Sequence, residues 1–102
     1  MQTEQFKGEL AVTAMWEARD GEADAVADIL TRFAPQARQE AGVKLFLVHR
    51  SVANPAQFLF YELFEDEAAF AAHQQTEHFK ALILGEGVPR LTKRERTQYA
   101  VL

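Results

Sequence analysis

The chain has 102 residues, 48% of them hydrophobic and 25% charged, a globular composition at a length that builds one core without staples, so a single domain over residues 1–102 is expected. A formal net charge of -4 offers no attraction to phosphate backbones or anionic lipid, which sets nucleic acid and membranes aside as partners. The absence of cysteine excludes a disulfide scaffold, a thiolate nucleophile, a Cys-ligated zinc and an iron–sulfur cluster.

Met1 to Leu10 carries Gln2, Glu4, Gln5, Lys7 and Glu9 and so lacks the apolar core of a signal peptide, and no later stretch is long enough to span a bilayer; a cytoplasmic location is the simplest expectation. From Gly8 to Ala18 the sequence alternates, with Leu10, Val12, Ala14 and Trp16 on one side, which predicts a first strand. Arg19, Asp20 and Gly21 break it. Val26, Ile29, Leu30 and Phe33 then recur at helical spacing, with Glu22 and Asp24 near the positive end of the dipole, predicting a helix over 22–40 that kinks or restarts at Pro35 and stops at Gly42.

Val43 to Val52 reads as a strand with apolar residues on both faces, Val43, Leu45 and Leu47 against Phe46, Val48 and Val52. Ala53 to Ala56 supplies turn chemistry. Gln57 to Glu65 forms the other arm of a hairpin, with Phe58, Phe60 and Phe64 against Leu59, Tyr61 and Leu63. Asp66 caps a second helix carrying Ala69, Phe70, Ala72 and His73, and Thr76 with Glu77 restarts a turn or two through Phe79, Leu82 and Ile83 before Gly85, Gly87 and Pro89 end it. Leu91 to Leu102 alternates again as a last strand. The order β-α-β-β-α-β is that of an α+β, ferredoxin-like fold, a four-stranded antiparallel sheet with both helices on one face.

In a monomer of that kind the face away from the helices should be polar, yet both hairpin strands carry large apolar groups on both faces. At roughly 25 cal/mol per Å² of apolar area, covering even a few hundred Å² is worth several kcal/mol. A second copy packed face to face by two-fold symmetry is the expected cover, so a homodimer is predicted; a terminal strand or the Met1 to Lys7 arm folded across the face is the alternative.

The run Phe60-Tyr61-Glu62-Leu63-Phe64-Glu65-Asp66-Glu67-Ala68-Ala69-Phe70-Ala71-Ala72-His73, followed by Thr76, His78 and Phe79, resembles the antibiotic biosynthesis monooxygenase family, as do Gly42 and the Asn54-Pro55 hairpin. The resemblance implies a dimeric α+β barrel with a pocket between the sheet and helices of each subunit. It also implies a small-molecule substrate, and members include cofactor-free oxygenases of quinols and polycyclic aromatics, haem-degrading enzymes and an isomerase of a small sugar derivative. The haem-degrading branch uses an Asn on the first strand, a Trp on the second helix and a His about ten residues on. Here the helix positions hold His73 and Ile83, and Gly8 to Ala18 contains no Asn, so that chemistry is not carried over. Many members have Trp where this chain has Phe64.

His49, His73 and His78 are the only histidines. His73 and His78, five residues apart, would stand about 140° apart on one helix, so they do not form an i,i+4 metal pair and no metal is expected. Glu62, between Phe60 and Phe64 on one strand face, needs a partner if that face is buried; His73 or an arginine is the natural one, either as a structural hydrogen bond or as a catalytic pair. The expected site is therefore catalytic His73 and Glu62, with Trp16, Phe46, Phe64, Phe70 and His78 as candidate substrate contacts, each apolar one doubling as a core residue. His49 reads as an interface histidine. Arg94 and Arg96 fall on one side of the last strand and Lys93 on the other, with Glu95 between, which suits a charged edge strand better than a phosphate track. The expected activity is a cofactor-independent monooxygenase of a quinol or polycyclic aromatic. The alternatives are an isomerase of a small oxygenated metabolite and a non-catalytic binding dimer.

Overall fold

The computed structural model describes residue 6 and residues 8–102. Four strands, β1 (Leu10–Ala18), β2 (Val43–Arg50), β3 (Gln57–Phe64) and β4 (Leu91–Ala100), form one antiparallel sheet in the order β2-β3-β1-β4. Helices α1 (Ala23–Arg38) and α2 (Glu67–Gln74) and a third helical segment, α3 (Phe79–Gly87), complete the βαββαβ order of the ferredoxin-like fold. Among the described residues no helix is long and apolar enough to cross a membrane.

The period-two pattern sets the two faces of the sheet. Val12, Ala14, Trp16 and Ala18 of β1 and Phe58, Phe60, Glu62 and Phe64 of β3 are buried on one side, and the register places Phe46 opposite Glu62 and Val48 opposite Phe60 on that same side. The apolar stripe of α1, Val26, Ile29, Leu30, Phe33, Ala34 and Ala37, closes over it and joins one core cluster with Phe79, Leu82 and Ile83 of α3. Gly21, at φ +81°, makes the turn that leads into α1, which starts at Glu22 without a side-chain cap.

Three local expectations are corrected. Pro35 neither ends nor restarts α1, which runs through it to Arg38; Pro35 lies on the exposed side, where water can satisfy the carbonyl left without a donor. The register shift between Val43 and Leu45 is a bulge that turns Val43 to the helix side, away from Leu45 and Leu47, and Val52 lies fully exposed in the turn beyond β2. The segment after α2 is not a plain α-helical restart: Thr76 Oγ1 accepts from the Phe79 amide at 3.2 Å and donates to His73 O at 2.9 Å, and α3 is wound with π-type bonds, Val88 N donating to Ile83 O.

Asp66 caps α2 as expected, its carboxylate accepting from Ala69 N at 2.8 Å. The start of β2 passes so close to α2 that a Cβ on Gly42 would sit 2.3 Å from that of Ala69, and the Glu65 amide bonds to Gly42 O at 2.8 Å. Gly87 lets α3 settle on the Trp16 ring, which a Cβ there would meet at 3.0 Å. These two close approaches fix α2 and α3 over the sheet, and with them His73. Of the Met1 to Lys7 arm, all but Phe6 lies outside the described residues.

Candidate active site

Among the described residues, His73 and Glu62 are the two buried polar or charged side chains. His73 sits in the last turn of α2 and is ringed by Phe64, Phe79, Phe46 and Phe33 at centroid distances of 5.2, 5.3, 5.6 and 5.8 Å. An imidazole in such a cage needs a partner, and it has one that the sequence reading did not name. The Glu40 carboxylate, just past the end of α1, lies 2.9 and 3.1 Å from His73 Nδ1, and its second oxygen lies 2.7 Å from His78 Nε2. Glu40 continues the buried stripe of Phe33 and Ala37 by one more helical step, which was the available signal: a carboxylate on an apolar face.

The expectation that His73 and His78 diverge is corrected. The Gln75–Thr76 turn interrupts the helix between them, so both imidazoles reach one carboxylate. The expected Glu62–His73 hydrogen bond is corrected as well: His73 Nε2 stands 3.8 Å from Glu62 Oε1, within ion-pair range and beyond bonding distance, and Glu40 takes the orienting role.

A carboxylate only accepts, so the Nδ1 that faces Glu40 carries the proton and Nε2 of the neutral ring keeps its lone pair toward Glu62. Burial lowers the pKa of His73, against the opposing pull of Glu40, and keeps the ring neutral at pH 7. Burial also raises Glu62, to about 8, Glu40 adding to the rise while Arg96 and Arg94 oppose it. Near neutrality the pair is thus an uncharged base facing a protonated carboxyl, two groups with their affinities pushed apart as acid–base sites require.

Both groups open on a cavity of about 20 Å³ between the sheet and the helices, lined by Trp16, Phe46, Phe60 and Phe70 and closed on one side by Arg94 and Arg96. That volume holds about one water molecule. Of the expected substrate contacts, Trp16, Phe46 and Phe70 line this cavity. Phe64 and His78 do not: Phe64 packs between Phe70 and His73 in a second small cluster, and His78 lines an open recess on the outer surface beside Arg32 and Glu77. A larger groove of about 390 Å³ runs between α1 and the edge of β2, lined by Leu30, Arg38, Arg50 and Phe58. Its one histidine, His49, is occupied with the Leu59 carbonyl at 3.0 Å. Among the described residues no group of three or more His, Asp or Glu side chains is arranged to hold a metal ion.

A model of the antibiotic biosynthesis monooxygenase family matches residues 10–83. Among solved structures, PA3566 from Pseudomonas aeruginosa is 28% identical over 95% of this chain and 97% of that one, with a TM-score of 0.85. A conserved protein from Methanosarcina mazei Go1 superimposes with a TM-score of 0.89 at 19% identity, covering 99% of this chain and 100% of that chain. SO0527 from Shewanella oneidensis does so with 0.84 at 22% identity, covering 91% and 90%. At those lower identities the likeness is one of fold. No curated protein matches the sequence.

The raised Glu62 carboxyl makes a prediction about stability. The folded protein holds this proton up to about pH 8, whereas the unfolded chain releases it near the ordinary value of 4.5, so the group costs stability as pH rises from 4.5 through 8. Glu62→Gln should therefore melt higher than the parent at pH 8, with the gap narrowing toward pH 4.5. Paired thermal melts across that range check it, and a gap that is flat or reversed contradicts the assignment.

Proposed function

The chain belongs to the antibiotic biosynthesis monooxygenase family, and on that premise we propose that it is a cofactor-independent monooxygenase of a small quinol-type substrate. The observation that carries the reading is the Glu40–His73 bond, which leaves His73 Nε2 unprotonated and aimed at the cavity beside Glu62. His73 removes a ring-hydroxyl proton, and the phenolate–carbanion passes one electron to dioxygen. The resulting radical pair joins through a C–O bond to give a peroxide, which takes up a proton from Glu62. The ring carbon that bears the peroxide then loses its own proton as the O–O bond breaks, leaving a carbonyl and releasing water. One oxygen atom of O2 ends in the product and one in water, with the substrate as the sole reductant. Protons return to Glu62 from His73 through the same short gap, so the pair is restored after each turnover.

The closed cavity is far smaller than the ~300 Å³ and above typical of ligand pockets, so a ring enters only as Arg94, a long side chain on an edge strand, swings outward. The small size of that cavity also favours a second reading: an isomerase moving a proton between carbons of a small oxygenated metabolite, with the same base and acid. Oxygen uptake with a panel of hydroquinones and anthrones separates the two. The monooxygenase reading expects uptake, reduced about 10²- to 10⁴-fold in His73→Ala and strongly in Glu62→Gln. No uptake with any member, or full rate in both variants, rejects it, and substrate deuteration in D2O without uptake would favour the isomerase.

We further propose that the protein works as a homodimer. The sheet face away from the helices carries Leu47, Leu59 and Tyr99 at 43, 48 and 52% exposure, paired across the sheet with Tyr61, Met15 and Ala11 in turn, an apolar surface of the kind that two copies cover by two-fold packing. Light scattering at micromolar concentration should give twice the chain mass and Leu59→Asp the single mass; a monomeric parent contradicts the proposal.

A further inference from the structure

The two arginines that close the cavity are neither the acid nor the base of the proposed chemistry. Arg94 and Arg96 lie opposite Trp16 and Ala14 on β4, so both project from an exposed edge strand onto the helix side of the sheet, over Glu62. Arg96 is held in place: its guanidinium stacks 5.3 Å from the Phe70 ring and meets the Gln74 amide oxygen at 3.0 and 3.2 Å when that amide is turned to face it. Arg94 has neither a hydrogen bond nor an ion pair among the described residues, and no ion pair there includes Arg96.

Two like charges, two residues apart on one strand face, repel each other. The pKa of Arg94 is lowered by partial burial and by Arg96, with Glu62 pulling the other way. Glu62 does not neutralise them while it holds its proton. Several other surface cations meet carboxylates, Arg32 bonding Asp28 and Glu86, Arg50 bonding Asp24 and Lys93 bonding Glu95, whereas these two guanidiniums face an aromatic cavity. An unmatched pair of guanidinium forks at the mouth of an aromatic cavity is the arrangement that recognises a planar oxyanion attached to an apolar body.

We infer that Arg94 and Arg96 form a carboxylate-binding mouth, so that the substrate is an aromatic or enolic carboxylate whose ring enters the Trp16–Phe46–Phe70 cavity while its carboxylate stays on the arginines. This deepens the reading of the cavity as the substrate site. It also accounts for how the cavity opens: the bound carboxylate draws Arg94 out of its closed position and holds it beside the anchored Arg96.

The test is equilibrium binding under argon, which needs no turnover and therefore fails independently of the oxygenase reading. Trp16, the only tryptophan, lines the cavity and reports occupancy by its fluorescence. The probes are 2,5-dihydroxybenzoate, its methyl ester and hydroquinone. Binding of the acid should be at least about tenfold tighter than that of the ester or of hydroquinone, as a charge-assisted pair gives. The preference should weaken with salt, fall toward one in Arg94→Gln, and survive in part in Arg94→Lys. Equal binding of acid and ester, an unchanged preference in Arg94→Gln, or no saturable response to the acid overturns the inference.

Discussion

One carboxylate holds this site together. Glu40, at the end of α1, is the shared acceptor for a buried imidazole from α2 and a half-buried one from the start of α3, and so joins three helical segments at one point. Without it His73 would be a polar ring inside a cage of phenylalanines with one unsatisfied donor, a cost of about 1 to 3 kcal/mol on ordinary figures. With it, the tautomer is set, and the free nitrogen faces the strand that carries Glu62.

The geometry around that contact explains why an acid and a base can coexist buried in an apolar core. Burial alone would drive both groups neutral. Glu40 opposes this for His73, supplying a negative charge and a hydrogen bond to the protonated ring, and reinforces it for Glu62 through like-charge repulsion. The same carboxylate therefore makes one neighbour a better base and the other a more reluctant anion. The aromatic rings keep solvent from screening either effect, and the narrow cavity leaves room for one small polar occupant until a ligand enters.

Much of the scaffold was legible in the sequence because its signals are local. Alternation in β1 and β3, the apolar stripe of α1 and the Asp66 cap each specify an element without reference to the rest of the chain. The fold followed from their order. Where local signals misled, tertiary contact was the reason. Val43 reads as sharing a face with Leu45, but a bulge turns it inward. Pro35 reads as a kink or restart, but α1 runs through it, and on the exposed side its lost bond can go to water. The site was half legible: Glu62 stood out as a charge among phenylalanines and His73 as an imidazole on a helix. Their actual connection depends on Glu40, some thirty residues before His73, and on where the restart expected at Thr76 carries His78, which only the tertiary contact to the same carboxylate shows. Arg94 and Arg96 were read correctly as an edge-strand pair on one face, but which face looks onto Glu62 is fixed only by the β1–β4 register.

The central claim is that Glu40 fixes His73 as a neutral base directed at the cavity. Nitrogen-15 NMR of the labelled protein at pH 7 reads the protonation of each imidazole nitrogen directly. The account predicts a His73 ring with its proton on Nδ1 and an unprotonated Nε2. A proton on Nε2, or an imidazolium at that pH, would contradict it.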